Sequence, residues 1–238
     1  MNKLVIDSGQ GNPADHMAKD AQLLKNLSGN DLILHFYDWE HPTATYGYFI
    51  DPYSCLSRDG VRSHQLQLAK RPTGGGVIFH LCDFAFSLLM PSSHPAFSVN
   101  TLENYAYVNH VVADAIQSFS NNKNSISLLQ NEPDPLDPAC TDFCMAKPTQ
   151  HDLMIDGRKV GGGAHRRKRQ GLLHQGTICL GMISDDLLST LLLPGTQVNA
   201  AMQQNSFALL GCSFTPEELI QAKQELRACL ESSFFKIL

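Results

Sequence analysis

Long apolar runs are missing from this 238-residue chain. The densest apolar patch, Phe84–Ser93, is about half the ~18 residues that a bilayer-spanning helix needs. A membrane protein is therefore not expected. The N-terminus, Met1-Asn2-Lys3-Leu4-Val5-Ile6-Asp7, lacks the apolar core and small-residue cleavage site of a signal peptide. Basic residues are in deficit, 18 against 23 acidic, for a net charge of −5. That speaks against a nucleic-acid partner, because general phosphate-backbone binders carry a basic face. An even, regularly spaced cysteine set is also lacking. The seven cysteines (Cys55, Cys82, Cys140, Cys144, Cys179, Cys212 and Cys229) are odd in number and scattered, as expected of reduced thiols in a cytoplasmic protein. Repeats, low-complexity stretches and dividing linkers are absent, so the length implies one domain over residues 1–238.

What is present is a mixture of helical and strand periods. Pro13 to Leu27 spaces Met17, Ala21 and Leu24 as a helix does, and Leu102 to Phe119 keeps the same period through Tyr105, Val108, Val112 and Ile116. Asp31 to Tyr37 and Leu172 to Leu180 read as strands, and Val77 to Met90 as two strands separated near Cys82-Asp83. Three prolines in Asn131–Pro138 define a loop. Asp156-Gly157, between the strand-like runs His151–Ile155 and Arg158–Val160, predicts a hairpin. Thr215-Pro216-Glu217-Glu218 offers a cap, a first-turn proline and a capping-box glutamate for a helix to about Leu230. Paired strands in series with intervening helices imply an α+β fold with a mixed, largely antiparallel sheet flanked by helices.

Chemistry concentrates in three segments. In the first, Arg71-Pro72-Thr73-Gly74-Gly75-Gly76, glycines let the backbone approach a ligand and Arg71 offers a fork of donors, although a plain turn gives the same pattern. It is neither a Walker A loop nor a dinucleotide fingerprint. In the second, Cys140 and Cys144 have no matching Cys/His pair, so no metal is expected, and a thiolate nucleophile at Cys144 is the alternative to a simple buried thiol. In the third, Lys159 leads into Gly161-Gly162-Gly163-Ala164-His165. A lysine beside a glycine-lined pocket can bind an acyl carbonyl or steady a thiolate, whereas a hairpin lysine is ordinarily solvated. The following run, Arg166-Arg167-Lys168-Arg169, reads either as a solvated turn or as a docking surface for an acidic partner.

Together these segments resemble the lipoate–protein ligase and octanoyltransferase family, whose catalytic domain is biotin/lipoate protein ligase-like. The resemblance runs from about Pro13 to Leu180. It is carried by His16-Met17-Ala18-Lys19-Asp20 with Leu23-Leu24, by Tyr37-Asp38-Trp39 with Pro42, by Arg71 through His80, and by Gly157-Arg158-Lys159-Val160 with Gly162 and Ala164. It implies a central role for Lys159. It also implies an acyl site built from Arg71, Thr73, Gly74, Gly75, Gly76, His80, Gly161, Gly162, Gly163, Ala164, His165, Gln175, Gly176 and Thr177. Cys144-x-x-x-Pro148-x-x-x-Asp152-Leu153 is similar to the transferase branch, in which a cysteine carries the acyl group as a thioester without a cofactor.

In the transferase reading the donor is acyl carrier protein or an octanoylated lipoyl domain. The acceptor is a lipoyl domain of a dehydrogenase complex or the glycine cleavage H protein. The ligase branch would instead use ATP and Mg to form an adenylate, with Cys144 a bystander. A third possibility is a protein that binds the acyl group or lipoyl domain without turnover. The family's usual Gln-His-Gly-[Thr/Ser] is here His174-Gln175-Gly176-Thr177, which shifts the histidine to the opposite face of its strand. An accessory C-terminal domain of the longer ligases and the biotin ligases' Gly-Arg-Gly-Arg loop are not expected in this chain.

Overall fold

Asn12 starts the first helix: its side chain accepts from the Ala14 N–H, and Pro13 sits where no N–H is needed. The computed structural model describes residues 1–121, 123 and 125–237, so three positions of the expected 1–238 domain lie outside it. Strand β1 (Asn2–Gly11) precedes helix α1 (Pro13–Lys25). Then come β2 (Asp31–Trp39), β3 (Thr43–Tyr46), α2 (Arg58–Ser63), β4 (Gln67–Lys70), β5 (Val77–His80) and β6 (Asp83–Pro91). Helix α3 (Thr101–Phe119) leads to β7 (Ile126–Leu128), β8 (Leu153–Ile155), β9 (Arg158–Lys168) and β10 (Gly171–Cys179). The last elements are α4 (Asp185–Leu191), α5 (Val198–Asn205) and α6 (Pro216–Lys236). Among the described residues, no helix is long and apolar enough to cross a membrane.

Seven strands form one sheet in the order β1-β2-β6-β10-β9-β8-β7, antiparallel throughout except for the parallel β1–β2 pair. A second sheet of three, β4-β3-β5, lies beside it. The fold is thus α+β with a mixed, largely antiparallel sheet. The run Val77–Met90 does hold two strands, but the break at Leu81-Cys82 sends β5 to the small sheet and β6 to the large one. The Asp156-Gly157 hairpin has both turn residues at positive φ, +50° and +74°, as a type I′ turn requires. The capping box at Thr215 is formed with both of its hydrogen bonds, and the helix it opens continues beyond Leu230 to Lys236.

Strand alternation decides what each face of the large sheet carries. On β2, Leu32, Leu34 and Phe36 join Phe86 and Leu88 of β6 against Val108 and Val112 of α3 and Leu226 and Leu230 of α6. Each such fully buried side chain stabilises the fold by roughly 1.5–3 kcal/mol. The intervening residues, Ile33, His35 and Tyr37, face α1 instead, among Leu24, Leu89, Leu173 and Met17. β10 divides in the same way, with Leu172, His174 and Ile178 toward α3 and Leu173, Gln175 and Thr177 toward α1 and the small sheet. A third apolar cluster joins Val77 and Phe79 of β5 to Leu188 and Leu191 of α4 and Ala201 of α5. Phe143 and Met145, on either side of Cys144, are buried in it.

Candidate active site

Between the large sheet and the small one lies a cavity of about 250 Å³, walled by β9, β10, β3, β5 and the two loops that bear Arg71 and Cys144. Cys144, between the buried Phe143 and Met145, lines the cavity, and among the described residues it is the one cysteine on that wall. Its N–H donates to Val77 O at 3.1 Å, which ties its loop to β5. Gly76 permits this closeness, since a Cβ there would lie 2.3 Å from the Asp142 carbonyl oxygen. Gly75, at φ +83°, is the point of convergence: around the place its Cβ would occupy stand an Arg71 nitrogen, Ala164 Cβ and Cys144 Sγ.

Arg71 is buried and held on three sides, donating to Thr45 Oγ1 (2.8 Å), Gly74 O (3.1 Å) and Gly76 O (2.6 Å). Burial pulls its guanidinium down from the usual value, while the Cys144 sulfur opposes this through charge and hydrogen bonding. Lys159, only 4% exposed, donates to the Cys144 carbonyl oxygen at 2.8 Å and pairs with Asp152 Oδ2 at 2.7 Å. Asp152, wholly buried, also accepts from Thr149 N (2.6 Å) and Thr149 Oγ1 (3.1 Å) through Oδ2, and from the Tyr105 hydroxyl through Oδ1. That hydroxyl in turn accepts from Gly163 N at 2.8 Å, and burial together with the Asp152 charge pushes its pKa well up. An ammonium has three donors. Two of Lys159's are engaged, which leaves one for the cavity it lines.

Two polar networks brace the walls. Asp20 of α1, wholly buried, is bonded to His35 Nδ1 (2.7 Å), Ser87 Oγ (2.6 Å) and Gln175 Nε2 (2.7 Å). Gln175 then accepts from Thr73 Oγ1 at 2.7 Å, so α1 reaches the glycine loop through one amide. In the second network, His80 spans Thr45 Oγ1 (2.8 Å) and Asp83 Oδ2 (2.7 Å), and Thr177 donates to the same carboxylate. Burial alone would raise the Asp83 carboxyl, but the charge and hydrogen bond of His80, with the Thr177 hydroxyl, overcome it and hold the group below its usual value.

The model for the lipoyl protein ligase A/B catalytic domain matches residues 12–208. The chain belongs to that family. Octanoyltransferase LipM of Halalkalibacterium halodurans is 29% identical to it over 204 residues, 84% of this chain and 74% of the relative. Octanoyltransferase LipM of Bacillus subtilis is 28% identical over 203 residues, 84% and 73% of the two chains. Among solved structures, lipoate-protein ligase A bound with ATP superposes with a TM-score of 0.71 at 17% identity, covering 99% of this chain and 95% of its own, a likeness of fold.

Within this lipoyl ligase-type fold, the sequence-predicted residues separate into two groups. Cys144, Lys159, Arg71, Gly75, Gly76, His80, Gly162, Gly163, Ala164, Gln175, Gly176 and Thr177 line the cavity. Thr73, Gly74 and Gly161 are not among its lining residues, and His165 packs on Tyr105 and His174. The shifted histidine, His174, lies on the α3 face, stacked on Phe86 and Tyr105 and hydrogen-bonded to His165, so the cavity receives Gln175 in its stead. Of the basic run, Arg166 donates to Pro72 O beside the glycine loop, Arg167 turns to Val99 O, and Lys168 and Arg169 are exposed. Sequence reasoning missed Asp20 and Tyr105 as supports of the site. Both signals were present, since Asp20 occupies the apolar stripe of Met17 and Leu24, and Tyr105 that of Val108 and Val112.

Proposed function

We propose that the protein transfers an octanoyl group to a lysine of a lipoyl domain through a thioester on Cys144. The observation that carries the reading is the position of Cys144 Sγ inside the cavity, against the Arg71 guanidinium and the Gly75 backbone, in a chain whose curated relatives are named octanoyltransferases. In the first half-reaction the Cys144 thiolate attacks the carbonyl of the donor thioester or amide, the donor's C–S or C–N bond breaks, and the donor thiolate or amine leaves and takes up a proton. In the second, the acceptor ε-amine attacks the enzyme thioester, an amide forms, and Cys144 leaves as the thiolate while the amine's proton passes to solvent. Arg71 steadies the thiolate in both. The free N–H of Lys159 is available to the oxyanion of each tetrahedral intermediate, and Asp152 and the Cys144 carbonyl hold the ammonium in place. Away from the cavity, burial pushes Cys55 up to about 11 and Cys82 up to about 12, which keeps these two thiols protonated.

On this reading acyl carrier protein or an octanoylated lipoyl domain is the donor, and no nucleotide is consumed. Mixing the protein with octanoyl acyl carrier protein should leave an octanoyl mass on Cys144 that hydroxylamine removes, and Cys144→Ala should abolish transfer to a lipoyl domain. Transfer undiminished in Cys144→Ser would end the thioester mechanism. Pyrophosphate release dependent on ATP and lipoate would assign the cavity to an adenylate-forming ligase instead.

A further inference from the structure

The rim of the cavity carries an aromatic and cationic tip that the chemistry inside does not use. After β3 the chain makes a tight turn, Gly47-Tyr48-Phe49-Ile50, closed by Ile50 N donating to Gly47 O at 3.1 Å. The turn is clamped to the glycine loop. Tyr48 N donates to Thr73 O at 2.9 Å, and Gly47 lies so close that a Cβ would fall 1.9 Å from Gly75 O. Ile50 then lines the cavity itself. Its neighbour Phe49 is 90% exposed, its ring edge-on to that of Tyr48, itself 49% exposed. Two cations flank the pair, Lys70 at 5.3 Å and Arg166 at 5.7 Å from the Tyr48 ring. Strand alternation on β9 puts Arg166 and Lys168 on the same face as Ala164, outward from the cavity wall.

We infer that this tip, Tyr48 and Phe49 between Lys70 and Arg166, is the docking surface for the lipoyl domain that supplies the acceptor lysine. The inference rests on the acyl-transfer reading for the identity of the partner. The cavity is recessed, and a lysine ε-amine stands on only a four-carbon stem. To reach a thioester on Cys144, the acceptor's backbone must come against the rim. The rim that the acceptor must touch is aromatic at its centre and basic at its edge, on a chain whose net charge is −5. Exposed aromatic side chains with a half-buried arginine beside them are of the kind that anchor interfaces. The complementary partner face is apolar beside the lysine and acidic around it, so that charge steers the encounter and Phe49 supplies the contact.

The test separates the two half-reactions. Cys144 is loaded from a small octanoyl thioester and then discharged onto an apo lipoyl domain, with direct titration of that domain against the unloaded enzyme run in parallel. In Phe49→Ala and in Lys70→Glu, the half-saturating lipoyl-domain concentration should rise at least tenfold and the titrated affinity should fall to match. Loading from the small thioester should stay within twofold of wild type, and Phe49→Leu should recover part of the loss. Melting curves identify any variant that fails to fold, in which case the other decides. Half-saturation and affinity within twofold of wild type in both variants would overturn the surface. If the wild type accepts no octanoyl group on Cys144, the transfer reading fails, and the titration alone still decides whether this tip binds the lipoyl domain.

Discussion

Lys159 brings a positive charge into a buried position, and its partners account for its presence there. A buried ammonium is costly unless paired and hydrogen-bonded. Asp152 supplies the counter-charge, and its remaining acceptor capacity goes to Thr149 and Tyr105, so no lone pair of consequence is wasted. Gly162 makes room for this packing, since a Cβ there would stand 2.3 Å from Asp152 Oδ1 and 3.0 Å from Lys159 Cε. Removing one member of a buried pair leaves the other charge uncompensated, at about 3–5 kcal/mol. Asp152→Asn should therefore destabilise the protein by about that amount in urea unfolding and abolish transfer. Adding Lys159→Met to Asp152→Asn should recover most of the stability and none of the activity. An equally unstable double variant would show that Asp152 matters through Thr149 and Tyr105, not through the charge of Lys159. The sequence marked Lys159 by its place after the Asp156-Gly157 turn. Tyr105, 54 positions earlier on α3, could join it only once the tertiary fold brought the helix over β9.

At the level of elements, the site is an outcome of two-residue alternation and of where glycines let backbones touch. On β10 a single step from His174 to Gln175 separates a core histidine from a cavity amide, so the reading that the shifted histidine changes faces holds in the structure. The glycines are not equivalent. Gly74 has open space where a Cβ would go, Gly75 sits at φ +83°, and Gly47 has the Gly75 carbonyl oxygen 1.9 Å from its Cβ position. Gly74→Ala should melt within a few degrees of wild type and load octanoate normally. Gly75→Ala strains the backbone and should cost about 1–3 kcal/mol. Gly47→Ala must push β3 off the glycine loop and should lose loading of Cys144. Equal behaviour of all three variants would mean that the loop relaxes freely. Helices α1 and α3 were legible by their helical period, β2 and β10 as continuous buried runs, and α6 by its capping signal. Strand β1 was not, because as an edge strand it is mostly exposed and shows no clean alternation. The short β3, β4, α2, α4 and α5 were missed for a different reason, since their burial is set by packing around the cavity and not by local pattern.

For the whole molecule, the buried titratable groups confine stability to a window of pH. Burial lowers His165 to about 3 and His174 well below the ordinary 6.5, the latter with a contribution from His165. Between about 6.5 and 3 the unfolded chain binds protons that the folded chain refuses, so stability present above 6.5 is lost as the pH falls through that range. Asp83, held below 3.8, extends the loss at the acid end. On the alkaline side the signs reverse. Cys55 and Cys82 are raised by burial to about 11 and about 12, and Tyr37 and Tyr105 are raised above 10. Once the pH exceeds 9, the unfolded thiols ionise while the folded ones cannot, and stability falls again. Melting temperature should therefore be level between about pH 6.5 and 9 and decline on both sides. His165→Gln removes one of the two imidazoles and keeps a hydrogen-bonding group beside His174, so its acid limb should be shallower than that of the wild type. The alkaline limb, which draws on Cys55, Cys82 and the two tyrosines, should be unaltered. A wild-type melting temperature that stays constant from pH 9 down to 4 would mean that the His165–His174 pair admits water and protons in the folded state.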